Sequence, residues 1–370
     1  MNKKRRFTLF YCLFTLLLAG VLFTVARHSA GFSEWYASRL FPLFPHSLGR
    51  IFSLLPFSAF ELLIVLAGVA LLIFIAYSLF MLARGRDARA QLIRYWRLAG
   101  SCLAAGCCTL LLLFSLTCGI NYSRAPLSTA LGLQPRPSSV QELRLLYELL
   151  AKEAEQAAAA IQTDTLGYFV LQKPPQQESR AAMRQVGVQY SLPNTYYPRP
   201  KPVLLSIALS YLHIAGIYSP FTVEANYNRH MPPADIPFCI CHELAHLSGY
   251  AREDEANFIA YLACRESDHS DFHYSGLLNA ITYVMNALYA EVSVSEYREL
   301  LQKLPAQMLK DLQRNTAYWQ DFYGPVSEFS QQVNDFYLKA NDQPEGVKSY
   351  GRMVDLLLAY YFFNDYADDI

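Results

Sequence analysis

Two histidines four residues apart, with a glutamate beside the first, stand in Cys241-His242-Glu243-Leu244-Ala245-His246-Leu247-Ser248-Gly249-Tyr250. If residues 238–247 are helical, His242 and His246 lie one turn apart on one face, and both imidazoles can reach a single metal ion. Neutral nitrogen donors suit Zn2+, and Glu243 is placed to hold and deprotonate a water beside the ion. The competing reading is an ordinary surface helix with two histidines and a salt-bridging glutamate.

The surroundings favour the metal. Pro237 fits the first position of a helix, and Asp235 or Ala234 lies where a cap would sit. Gly249 supplies the left-handed residue with which the chain leaves the helix straight after His246. A second helical stretch, residues 252–267, opens with acids, and Glu253, Asn257, Tyr261 and Cys264 fall near one stripe that could turn back toward the metal.

The elements that must position these groups begin with a long apolar front. Of 370 residues 53% are hydrophobic and only 17% charged, a high apolar share for a soluble protein. Uncharged runs at about 7–26, 62–83 and 98–122 are each long enough to cross a bilayer. Arg27-His28 follow the first run where a signal peptide would show small residues, so it reads as an uncleaved anchor. Lys3, Lys4, Arg5 and Arg6 precede the first run, and Arg84, Arg86, Arg89, Arg94 and Arg97 cluster between the second and third. The intervening connection has only Arg27, Arg39 and Arg50. The basic segments are expected on the cytoplasmic side. The expectation is therefore a multi-pass cell-membrane protein: a three-span domain, 1–123, with a cytoplasmic N-terminus, and an extracytoplasmic domain, 124–370. Glu61 borders the second run and is read as interfacial. Lys+Arg and Asp+Glu are equal at 31 each, which gives no sign of a nucleic-acid partner.

Beyond Pro126, Pro135 and Pro137, Ser139 and Glu142 form a capping box for a helix from Val140 to about Gln162. Pro174-Pro175 and Tyr196 to Pro202 read as exposed irregular chain, and the aromatic-proline stretch could also meet lipid headgroups. Gly216 to Asn226 is aromatic and β-branched with Pro220 inside it, which marks an edge strand. Helical patterns follow at Tyr274 to Val292, from a Ser293/Glu296 capping box to Leu304, and at Gln307 to Tyr323, Val326 to Ala340 and Glu345 to Phe363. The expected fold is mainly α (α+β): three transmembrane helices, then a mostly helical domain with a small sheet.

Phe238 to Cys264, the three apolar runs, Gly216 to Asn226 and Gly346 to Tyr361 together resemble an uncharacterised bacterial membrane family of zincin type, domain of unknown function 3810. The resemblance covers nearly the whole chain and implies a zinc metallopeptidase without naming a substrate. Gluzincin peptidases complete their site with the first Glu of an ExxAN motif, which Glu253-Asp254-Glu255-Ala256-Asn257 matches. That comparison implies His242, His246 and Glu253 as ligands, with Asn257 a neighbour that could hydrogen-bond a ligating His. Glu253 follows His246 more closely than in those families. The spacing is nearer the metzincin HExxHxxGxxH pattern, in which Gly249 fits but Arg252 replaces the third His and cannot ligate. Glu255 is the next choice, and His230, His269 and His273 are remoter ones.

These residues would support peptide-bond hydrolysis with Zn2+ as cofactor and Glu243 as general base. Tyr250, His230, Tyr350 and Arg352 are candidate oxyanion stabilisers that the sequence does not rank. Cys239, Cys241 and Cys264 flank the motif as packed thiols, with a disulfide from Cys264 to one of the others as the alternative. The expected partners are a peptide or protein substrate, which could be membrane-associated, and the lipid bilayer. The alternative function is a non-catalytic membrane sensor or assembly protein with a structural zinc site. Glu243 argues against it, because a structural site has no use for a carboxylate between the histidines.

Overall fold

The computed structural model describes residues 3–85, 88–192 and 195–362. Arg86 of the basic connection and the expected helix end at Phe363 lie outside the described residues. Among the described residues the chain is mainly helical with two small sheets. Three helices, α1 (Lys3–His28), α2 (Ala59–Ala83) and α3 (Arg89–Thr117), are long and apolar enough to cross a membrane. Their leucine-rich surfaces stay uncovered, as shown by Leu63, Leu72 and Leu103. The α3 helix stops at Thr117 and a 3-10 turn, Gly119–Ser123, carries the chain on, a little earlier than the uncharged run suggests.

The α1 and α3 helices run side by side in the same direction. Tyr11 Oη lies 2.7 Å from Thr109 Oγ1, and Phe23 packs near Phe114. The α2 helix runs against α3, with Trp96 Nε1 donating to Ser78 Oγ at 3.0 Å. The ends of α1 and α3 therefore lie with the start of α2, and this end meets the rest of the chain.

That remainder is built on α4 (Val140–Ala159), α5 (Pro175–Gln189), α6 (Ile236–Leu247), α7 (Glu253–Arg265) and α8 (Ser270–Tyr289), with α9 (Val294–Gln302), α10 (Ala306–Asp321), α11 (Pro325–Ala340) and α12 (Met353–Phe362) around them. The capping box at Ser139 and Glu142 forms, and α4 buries Leu143, Leu146, Tyr147 and Leu150 at helical spacing. The expected final helix from Glu345 is instead a 3-10 turn, Gly346–Arg352, leading into α12. Gly346 adopts a left-handed conformation that interrupts a regular helix.

Strands β1 (Gln162–Thr163) and β2 (Phe169–Val170) form a two-stranded ladder. The second sheet has the order β3 (Lys201–Pro202), β5 (Glu224–Tyr227), β4 (Gly216–Ser219). The β3 strand is parallel to β5, and β4 pairs antiparallel with β5 from Gly216↔Tyr227 to Ser219↔Glu224. The Gly216–Asn226 stretch is thus a hairpin whose turn contains Pro220, and β4 is the edge. Tyr196 to Pro202 is not exposed as expected. Tyr197 and Lys201 are buried because the segment leads into β3 against the central strand, and Pro175 opens α5 instead of lying in irregular chain.

Lys201 and Glu224 form an ion pair at 2.6 Å with side chains only 3% and 1% exposed. Lys201 Nζ also donates to the carbonyls of Phe52 and Phe57, while Glu224 accepts from the backbone N–H groups of Ala59 and Phe60. A carboxylate at these first amides of α2 complements the positive end of the helix. Glu61 accepts from Leu204 and Leu205 N–H and reinforces the joint. Removing one partner strands a buried charge, so Lys201→Met is expected to destabilise the protein by about 3–5 kcal/mol. Denaturant unfolding of the solubilised full chain checks this, and the Lys201→Met/Glu224→Gln double variant should be less destabilised than Lys201→Met alone.

Candidate metal centre

The α6 helix carries His242 and His246 at i and i+4, and the chain then reverses within five residues to start α7 at Glu253. Gly249, at φ +92°, makes the reversal, with Tyr250 N–H donating to the Ala245 carbonyl. A Cβ there would also crowd the Phe41 ring at 3.2 Å. Three acids in the first turn of α7, Glu253, Asp254 and Glu255, suit the positive end of that helix.

The reversal brings three donors to one point. His242 Nε2 and His246 Nε2 are 3.0 Å apart, and Glu253 Oε2 lies 3.2 Å from the first and 3.4 Å from the second. Among the described residues this is the one group of three or more metal-type donors so gathered. Donors on a tetrahedral ion with bonds of about 2.0–2.2 Å are separated by roughly this much, so the donor set fits such an ion. His246 Nδ1 donates to the Tyr250 carbonyl at 2.8 Å, which turns the lone pair of Nε2 toward the cluster. Burial works against the charged forms here, but the Glu253 carboxylate outweighs it and holds His246 up at about 9. Reciprocally, burial is overcome at Glu253, which the two histidines hold down at about 2. Glu253 and the two histidines thus attract one another across the cluster.

Glu243 points beside this cluster and is 5% exposed. Burial raises its pKa, partly countered by the histidines and by the backbone N–H of Tyr218. Its Oε1 lies so near β4 that a Cβ on Gly216 would come within 2.5 Å. A larger residue there would push the Glu243 side chain out of position. His242, Glu243, His246 and Glu253 line a cavity of about 930 Å³. Phe60 at the start of α2 and Phe114 near the end of α3 line it too, so the cavity shares a wall with the ends of the apolar helices.

The other residues singled out in the sequence are dispersed. Asn257 does not bond a histidine; its Nδ2 donates to Tyr283 Oη at 3.1 Å and to the Tyr350 carbonyl at 3.3 Å. Glu255 turns away from the donors to the Leu127 N–H and Arg252, at 2.7 and 2.6 Å. The Tyr350 ring stacks over His242 at 6.4 Å and lines the cavity. Tyr250 is buried beneath Arg124, His230 packs beside Tyr318 and Phe322, and Arg352 is exposed near Glu345 and Asp355. None of these three lines the cavity. His269 pairs with Glu178 away from the centre. Cys239, Cys241 and Cys264 are buried free thiols. Gln343, whose Oε1 accepts the Glu253 N–H at 3.2 Å, carried no sequence signal because it joins the site from 90 residues downstream.

A family model described as Protein of unknown function (DUF3810) matches residues 36–358. The chain belongs to this family. No curated protein and no solved structure matches it.

Metal analysis by mass spectrometry of the purified full chain is expected to find about one zinc per chain, the occupancy of a single site with three protein donors. Glu253→Ala should lose the metal, whereas Glu243→Gln and Glu255→Gln should keep it. Retention in Glu253→Ala together with loss in Glu255→Gln would reassign the third ligand.

Proposed function

We propose that this chain is a membrane-anchored zinc metallopeptidase that hydrolyses peptide bonds, with His242, His246 and Glu253 holding the metal and Glu243 as general base. The observation that carries the reading is Glu243 itself, a buried carboxylate set beside three convergent donors and facing a cavity large enough for a peptide. A structural metal site needs neither the carboxylate nor the cavity.

Zinc at such a site supplies Lewis-acid polarisation of a carbonyl and a nucleophilic water at neutral pH. Glu243 takes the proton of the attacking water and delivers it to the leaving amine. The Tyr218 N–H and the close approach of Gly216 hold the carboxylate in place. Edge strand β4 lines the same cavity, which supports pairing of an extended substrate along it. Tyr350, alone among the four oxyanion candidates in lining the cavity, is the residue we assign to donate toward developing negative charge.

The localisation we propose is the cell membrane, spanned by α1, α2 and α3, with the N-terminus cytoplasmic and the chain beyond α3 extracytoplasmic. The basic residues around the N-terminus and between α2 and α3 support this orientation. Because the helix ends form part of the cavity wall, the reading extends to substrates held at the membrane surface.

The test is cleavage of a quenched-fluorescent peptide library by the zinc-loaded full chain in nanodiscs. Glu243→Gln is expected to lower the rate by about 10²–10⁴-fold while keeping its zinc. Stoichiometric zinc with no cleavage above the Glu243→Gln control, on soluble and membrane-anchored peptides alike, would instead favour the non-catalytic sensor or assembly role.

A further inference from the structure

The cavity does not end at the metal donors. Asp235, Asn279, Asn315, Trp319 and His213 line it as well. Asp235 stands at the N-cap position of α6, where an aspartate normally accepts a hydrogen bond from an N–H of the first turn. Here it makes no such bond. Ser275 Oγ accepts the Phe238 N–H instead, at 3.2 Å. The Asp235 carboxylate is thereby released from capping, and its Oδ2 accepts from Asn315 Nδ2 at 2.8 Å. Asn279 is its other hydrogen-bonding neighbour.

No cation accompanies it. Asp235 is 8% exposed, forms no ion pair among the described residues, and has the buried carboxylate of Asp311 as its charged neighbour. Burial, first, and Asp311 raise its pKa to about 7, only partly offset by the two amides. Asp311 is occupied by Phe169 N–H, Tyr274 Oη and Gln307 Nε2, which leaves Asp235 as a carboxyl group on the cavity wall without a cation. Trp319, packed against His213 and Tyr318, is an aromatic wall of the same cavity. His213 Nε2, buried without a hydrogen-bond partner, is a further polar group there.

We propose that this arm of the cavity is a binding subsite for a guanidinium or ammonium group, and that it selects substrates with an Arg or Lys side chain beside the scissile bond. The specificity role rests on the peptidase reading, whereas the cation site stands on its own geometry. Asp235 precedes His242 by seven residues, two turns on one face, which places it ~10 Å along α6 from that histidine. The long stem of Arg or Lys bridges that interval from a residue next to the reacting carbonyl. An α-ammonium on that residue is too close to the carbonyl to do so. The carboxylate contributes the charge complementarity and the two asparagines fix its orientation.

The first test needs no catalysis. Binding of n-butylguanidinium and of its neutral isostere n-butylurea to the full chain in nanodiscs is measured by saturation-transfer NMR titration. The wild type should bind the cation about tenfold tighter, the scale of one charged hydrogen bond. Asp235→Asn should erase the difference by weakening binding of the cation alone, leaving the n-butylurea affinity unchanged, a pattern that misfolding does not mimic. Equal affinities in the wild type, or a preference unchanged by Asp235→Asn, overturn the site.

The second test reads cut positions by mass spectrometry in an N-acetylated peptide library treated with the zinc-loaded wild type and Asp235→Asn. Arg and Lys should be enriched beside the cut for the wild type alone. Cleavage without that enrichment overturns the side-chain role, as does an enrichment that appears only when free N-termini are present. A library left uncut while the guanidinium preference stands sinks the peptidase reading and supports the cation site.

Discussion

Everything near the centre follows from one constraint: two imidazoles on α6 and a carboxylate on α7 are held with their donor atoms 3.0–3.4 Å apart in a buried place. Groups of this kind lose hydration on burial and repel or attract one another strongly there, so such a gathering persists only if the backbone enforces it. The enforcement is local. A helix ends at Leu247, just after His246, Gly249 turns the chain in the left-handed region, and the next helix starts on Glu253. The same turn sends the Tyr250 carbonyl back to His246, so one reversal supplies both the third donor of the cluster and the group that orients another.

A second constraint joins this centre to the apolar helices. The buried Lys201–Glu224 pair ties the central sheet to the first amides of α2, and Arg124, paired with Glu34, stacks on Tyr250 and reaches the Gly249 carbonyl. Tyr218 of edge strand β4 donates through its hydroxyl to the Thr117 carbonyl at the end of α3. The strand that sends its Tyr218 N–H to Glu243 is therefore fastened to the end of an apolar helix. Displacing those helices would disturb the position of Glu243, which physically couples the apolar helices to the donor cluster.

What was legible in the sequence was what is local. The i, i+4 histidines, the left-handed glycine and the acid-led second helix lie within about 20 consecutive residues, and helical periodicity alone brings them together. The three long helices were equally plain, since a run of uncharged residues needs no partner to declare itself. The misreadings concern contacts made across the chain. Tyr196 to Pro202 looked exposed because its prolines signal irregular backbone, yet pairing of Lys201 and Pro202 with Asn226 and Tyr227 buries it. Asn257 was read toward a histidine, but Tyr283 and the Tyr350 carbonyl, 26 and 93 residues downstream, take its donors.

Asp235 shows the same division at a single position. Its place before Pro237 reads as a cap, and the helix does begin there, so the local inference about the backbone is sound. The role of the side chain is decided elsewhere, because Ser275 on α8 satisfies the N–H that the cap would have served. A buried carboxylate relieved of its local duty, facing a cavity and steadied by two amides, is costly to retain for stability alone. An alanine there would leave the Ser275 bond untouched and remove a desolvated charge. The retained cost is accounted for by a cationic guest, and the two-turn spacing along α6 relates that guest to the metal donors without any further adjustment of the fold.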